Sequence, residues 1–233
     1  WTRWHTCSLC EQQYHGVVKC ALGWGCWKTY VGRPEADQNR ARVHAMTQLG
    51  NGLFAVGRHE ESLSVKEAEL AIKRRLGASE DDLLISQANL AVTYHRLGRF
   101  IDAIRIEQDV YSVRLKLNGE EHRDTLGAAT NYANLLIHLK RFEEARSLLR
   151  KTIPVARRVF GEGYELTLIL RWNYALALNR DDGATLDDLR ESVETLEAVA
   201  KSWKRVYGDL HPETRNVQSA LATARNKLVH AAA

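Results

Sequence analysis

Asn89-Leu90-Ala91, Asn131-Tyr132-Ala133 and Asn173-Tyr174-Ala175 are one tripeptide pattern written three times at a spacing of 42 residues. In the same register Gly77 returns as Gly119 and Gly161, Phe100 as Phe142, and Ala103 as Ala145. A fixed period of this length marks stacked helical hairpins, because one hairpin cannot bury its apolar side alone and must pack it against its neighbours. The repeat therefore predicts an all-α array whose long concave surface holds other proteins.

On either side of the tripeptides, the apolar spacing predicts helices near 38–56, 59–76, 82–97, 100–117, 123–139, 142–159, 164–180, 186–206 and 212–229. Gly57-Arg58, Gly98-Arg99 and Lys140-Arg141 leave only two residues between helices, which makes each pair antiparallel. The longer breaks carry Gly77, Gly119, Gly161 and Gly208, suited to the left-handed conformation that closes a helix. Thr185-Leu186-Asp187-Asp188 reads as a capping box. Within a hairpin, Ala91 and Ala103 put small residues where two backbones approach, and Ala145 repeats that contact. Pro154 falls inside a predicted helix, where it removes a hydrogen bond and predicts a kink. Arg180-Asp181-Asp182-Gly183-Ala184 is longer than its counterparts, and Gly161 and Gly208 stand 47 apart rather than 42.

Ahead of the array the chain changes character. Residues 1–12 show no helical period and read as a non-helical stub. Residues 13–34 read as a capping helix, with Val17, Val18, Ala21, Leu22, Trp24, Trp27, Tyr30 and Val31 wrapped around most of its circumference, which predicts a buried helix sealing the end of the stack. Gly32-Arg33-Pro34 ends it. The array then fills 35–230 and leaves a short tail at 231–233.

At 233 residues with 45% hydrophobic and 27% charged side chains, the chain can bury a sizeable core. No apolar run approaches the roughly 18 residues of a membrane span. The net charge of +4 comes from lysines and arginines mixed with glutamate on second helices, which is the pattern of solvated faces and not the one-signed stripe of a nucleic-acid binder. All four cysteines lie in the first 26 residues, so a disulfide-stapled secreted fold is not expected and a cytoplasmic, reducing setting fits better. The chain opens on Trp1 and holds a single methionine, Met46, which suggests a fragment.

These residues resemble a known family. A 42-residue helical hairpin bearing Asn-Leu-Ala, a following Tyr and Gly, an aromatic, an Ala, and a closing Gly-x-x-His-Pro-x-Thr looks like the tetratricopeptide repeat of the kinesin light chain type. The closing motif is whole as Gly208-Asp209-Leu210-His211-Pro212-Glu213-Thr214. It is partial as Gly119-Glu120-Glu121-His122-Arg123-Asp124-Thr125 and weaker as Gly161-Glu162-Gly163-Tyr164-Glu165-Leu166-Thr167. The resemblance implies a right-handed superhelical solenoid whose first helices line the concave face and bind peptide segments of partners. A second resemblance lies in the stub: Trp4-His5-Thr6-Cys7-Ser8-Leu9-Cys10 with Tyr14 is similar to the last ligand pair of a RING-variant (RING-CH) zinc finger. It implies that Cys7 and Cys10 are half of a zinc site whose other ligands lay upstream. The full-length protein would then be a ubiquitin ligase meeting a conjugating enzyme through that finger. Within this chain no cofactor is expected, since one thiolate pair falls short of the four ligands of a structural zinc.

Nothing else in the sequence points to catalysis. There is no Gly-rich phosphate loop after a strand, no nucleophile with a base beside it and no carboxylate pair in a defined cleft. The asparagines stand apart. Asn89, Asn131 and Asn173 recur at one place in three first helices despite the low helix propensity of Asn. An amide both donates and accepts, so such a series suits an extended peptide backbone of any sequence. Gln48, Asn51 and Asn134 extend the stripe, and Arg96 and Arg180 add positive charge for acidic groups. The alternative is that the amides tie neighbouring helices together.

Overall fold

A computed structural model of the chain describes residues 12–31 and 39–232. The described residues form ten helices: α1 (Gly16–Val31), α2 (Asn39–Ala55), α3 (His59–Arg75), α4 (Glu80–Arg96), α5 (Phe100–Asn118), α6 (Arg123–His138), α7 (Phe142–Phe160), α8 (Glu165–Asn179), α9 (Leu186–Tyr207) and α10 (Pro212–Ala232). Past Pro34 these are the helices the apolar spacing predicts, with the largest difference at the end of α10. The chain is all-α and built from antiparallel hairpins. It divides into two compact units, Trp1–Ile106 and Glu107–Ala233, with the boundary inside α5.

In the first unit α1 and α2 meet through glycines. A Cβ built on Gly52 would lie 2.8 Å from Cys20 Cα, and one on Gly23 would lie 2.7 Å from the Gln48 carbonyl oxygen, so only glycine permits this approach. Leu49, Leu53 and Cys20 form the core there, with Trp27, Val56 and Val65 packed against it. The expectation of a helix buried all round is corrected here. α1 buries one narrow line of Cys20, Gly23 and Cys26, while Val17, Val18, Trp24 and Val31 remain exposed. The next hairpin, α2 with α3, is locked by Ser62 Oγ donating to the Gly50 carbonyl at 2.8 Å. Leu63, Leu70 and Leu90 continue the core, joined by Leu83, Tyr94, Leu97 and Ile106.

In the second unit Ala133 of α6 and Ala145 of α7 are both fully buried, as the small-residue crossing requires. Trp203, Leu196 and Val199 of α9 pack with Leu168 and Ala175 of α8 and Val217 and Ala224 of α10. Burying such side chains gives on the order of 1.5–3 kcal/mol each. Ser192 Oγ donates to the Ala175 carbonyl at 2.8 Å, a tie of the same kind as that from Ser62.

The closing motif has a physical basis in these contacts. Thr125 Oγ1 donates to the Arg114 carbonyl at 3.2 Å, and Thr167 Oγ1 to the Ala156 carbonyl at 3.3 Å, so each threonine ties its own helix to a carbonyl near the C-terminal end of the preceding second helix, eleven residues upstream. Thr214 is buried at the matching place without a hydrogen bond. His122 Nδ1 accepts from the Asp124 backbone N–H at 3.2 Å, and His211 Nδ1 from that of Glu213 at 3.3 Å. The histidine is therefore a helix N-cap.

Gly161 and Gly208 end their helices at φ/ψ of 87/167 and 82/171 degrees. This corrects the expected left-handed helical geometry: φ is positive, but ψ is extended, a region open essentially to glycine alone. In the short turns Gly57 and Gly98 have φ of 80 and 73 degrees, and Lys140 takes the same role at 58 degrees. The Thr185 capping box forms in full. α7 runs unbroken through Pro154. The irregular link before α9 is held by Arg146 Nη2 to Asp181 Oδ2 at 3.1 Å and by Lys227 Nζ, which donates to the Asn179 and Asp181 carbonyls at 2.7 and 2.9 Å.

Candidate functional site

On α4 the positions Ile85, Asn89, Val92 and Arg96 follow the i, i+4, i+7, i+11 spacing of one helical face. Ile85 and Val92 are 46% and 36% exposed, Arg96 is exposed and Asn89 is half-buried, so the face stays open while its neighbours pack. The backbone of Asn89 is fixed from below. Its carbonyl accepts from Lys66 Nζ at 3.2 Å, and that amine also donates to Thr93 Oγ1 at 2.9 Å and lies 4.7 Å over the Phe54 ring. Burial pushes the Lys66 pKa down to about 8. Gln48 and Asn51 are half-buried on α2 in the same unit.

In the second unit the corresponding face of α6 carries Gly127, Asn131, Asn134 and His138, and that of α8 carries Ile169, Asn173, Leu176 and Arg180 at its end. A Cβ added at Gly127 would meet nothing within 4 Å, so this face is open space. Asn134 and Arg180 are exposed. Asn131 is half-buried and donates to Glu107 Oε1 at 3.3 Å. Asn173 is buried and donates to the Thr130 carbonyl at 3.4 Å, which ties α8 to α6. The His138 pKa is lowered by burial and then by the charge of Arg180.

The eight predicted peptide-binding residues are thus graded. Arg96, Asn134 and Arg180 reach solvent, Gln48, Asn51, Asn89 and Asn131 are partly accessible, and Asn173 is inside. Cys7 and Cys10, the predicted zinc pair, lie outside the described residues. Among the described residues no group of three or more His, Cys, Asp or Glu is placed to hold a metal ion, and no helix is long and apolar enough to cross a membrane. Sequence reasoning missed several buried or partly buried charges: Lys66, Glu107, Arg146 and Arg171. The available signal was departure from the repeat, since Glu107 stands where Val65 and Leu149 stand one period away on either side.

The family described as tetratricopeptide repeat matches residues 42–116 and 124–183. A clustered mitochondria protein homolog from Emericella nidulans is 24% identical over 157 residues, which is 66% of this chain and 12% of that protein. The homolog from Coccidioides immitis gives the same identity and coverage. The chain therefore spans about an eighth of the length of these curated relatives. Among solved structures, a Podosopora anserina kinesin light chain with nearly identical TPR-like repeats superposes with a TM-score of 0.65 at 19% identity, covering 81% of this chain and 87% of that one. BtubC (BKLC) from P. vanneervenii superposes with a TM-score of 0.69 at 16% identity, covering 91% and 85%.

Proposed function

Because the chain belongs to the tetratricopeptide-repeat family, we propose that it recognises an extended segment of a partner protein, without catalysis, on the open faces of its first helices. The observation that carries this reading is the α6 face, where Gly127 leaves room, Asn134 is exposed and Asn131 is still partly accessible beside it. A glycine at that place costs helix stability of roughly 0.5–1 kcal/mol relative to alanine, and close approach by another chain is a use that offsets it. In the second unit the amides would grip the partner's backbone and Arg180 its acidic side chains; in the first unit, taken by itself, Ile85 and Val92 would offer apolar contact and Arg96 positive charge. The tie from Asn173 to Thr130 then serves to hold α8 against α6, leaving Asn134 and Asn131 as the contacting amides.

The test is a displayed random peptide library selected on the intact chain, followed by binding of the selected peptides to Asn134→Ala and Arg180→Ala. Both residues are exposed, so folding should be unaffected. Loss of binding with unchanged helicity supports the reading. Peptides that bind both variants as they bind the parent sink it.

A further inference from the structure

We propose that the cavity between α7, α8 and α9 is a phosphoryl-binding site formed by Arg150, Arg157 and Arg171. The cavity has a volume of about 210 Å3 and gathers these three arginines around Ile153, Tyr174 and Glu191. It shares no residue with the stripe of Asn131, Asn134, Asn173 and Arg180, and it stands or falls separately from that surface.

The repeat does not require these arginines. One period earlier the three positions are Gln108, Leu115 and Ala129, and Ala129 is fully buried, so a small apolar side chain satisfies the packing there. The cavity that includes Leu115, also about 210 Å3, is lined by Tyr111 and Leu126 with Lys151 as its cation. Convergence of guanidinium groups belongs to the later repeat.

Their surroundings leave the charge incompletely answered. The Arg171 side chain is only 13% exposed, and its Nε has no hydrogen-bond partner. Burial first, and the nearby Arg157 charge second, lower the Arg171 pKa, the reverse of what a well-paired guanidinium shows. Arg150 is held by Tyr174, to whose Oη its Nε donates at 3.2 Å, while the Tyr174 hydroxyl donates to Glu191 Oε1 at 3.0 Å. Glu191 is thereby turned to the tyrosine.

One carboxylate occupies the arginine pair from outside. Glu162 Oε1 lies 2.9 Å from Arg157 Nε and Glu162 Oε2 2.9 Å from Arg171 Nη1, a fork that marks where two oxygens of an oxyanion fit. Glu162 is 61% exposed and sits in the link after Gly161, so water can take it back at small cost. A group that displaces it must carry more charge than a carboxylate. A phosphoryl group carries roughly −1.5 to −2 at neutral pH and a third oxygen for Arg150.

The test follows the arginine Nε–Hε resonances of the intact chain by NMR during titration with inorganic phosphate, O-phosphoserine and, at matched ionic strength, acetate. Saturable shifts of Arg157 and Arg171 with phosphate, and none with acetate, are expected. Arg171→Met should weaken phosphate binding at least about tenfold, as loss of a charge-assisted pair does. Arg157→Met, at an exposed position, carries the same expectation should loss of Arg171 unfold α8. Glu162→Gln removes the competing charge and should tighten binding severalfold. Tighter binding of O-phosphoserine than of phosphate identifies a group borne on a partner's side chain, and the reverse order a free one. Equal response to acetate, shifts that never saturate, or a Glu162→Gln variant with unchanged or weaker binding would overturn the proposal.

Discussion

Asn131 Nδ2 donates to Glu107 Oε1 at 3.3 Å, so the middle amide of the repeated series is fastened to a carboxyl that is only 1% exposed. The other oxygen of Glu107 has no partner. Burial pushes its pKa up to about 8 from an ordinary 4.5, with the Asn131 hydrogen bond pulling the other way. Between those values the folded chain holds a proton that the unfolded chain has released, so stability falls as pH rises through the window. Urea midpoints should therefore drop between pH 5 and pH 8, and Glu107→Gln, which keeps the shape and the acceptor, should flatten that slope. Equal slopes in parent and variant would place the carboxyl's charge elsewhere.

Lys140 occupies a turn at φ of 58 degrees where the equivalent turns use Gly57 and Gly98. An L side chain in this conformation costs roughly 1–2 kcal/mol, partly offset by the lower entropy of its unfolded state. Lys140→Gly should raise stability by about 0.5–1 kcal/mol. A thermal midpoint at or below the parent's would contradict that.

Ala145 is fully buried at the close crossing of the α6–α7 hairpin. Ala145→Leu adds three carbons where no space exists, and the cost should be about 1–3 kcal/mol. An unchanged denaturation midpoint would mean the crossing is looser than these contacts imply.

The helices and their ends were legible because their determinants are local. Glycine at positive φ, the Thr185 box and the apolar period all act within a few residues of chain. The closing motif was legible as a pattern, while its chemistry, His122 capping forward and Thr125 reaching back to Arg114, needed the packed neighbours. α1 was misread because counting apolar residues cannot see Gly23 and Gly52, which bring α1 and α2 so close that one line of contact suffices. The asparagines recur in register, but burial is set by what lies opposite: Asn173 meets the Thr130 carbonyl and Asn131 meets Glu107. Charged side chains such as Arg146 and Arg171 read as solvated surface in isolation, and only comparison with their counterparts one period away marks them as exceptional.

Two cations rather than a repeat-type turn hold the irregular link before α9. Arg146, 8% exposed, reaches Asp181 at 3.1 Å and Asp188 at 3.6 Å and also pairs with Glu143. Lys227 Nζ caps the Asn179 and Asp181 carbonyls, satisfying one acceptor at the end of α8 and one in the link. Arg146→Met would leave the Asp181 and Asp188 carboxylates without their cation and should cost about 3 kcal/mol. Lys227→Met removes only the carbonyl cap and should cost about 1–2 kcal/mol. The two effects differ in reach. Loss of Arg146 should lower global stability, whereas loss of Lys227 should mainly speed amide hydrogen exchange at Gly183 and Ala184, whose N–H groups bond to Asp181. Exchange in the link that stays at the parent rate in Lys227→Met would mean the lysine follows the link's shape without fixing it.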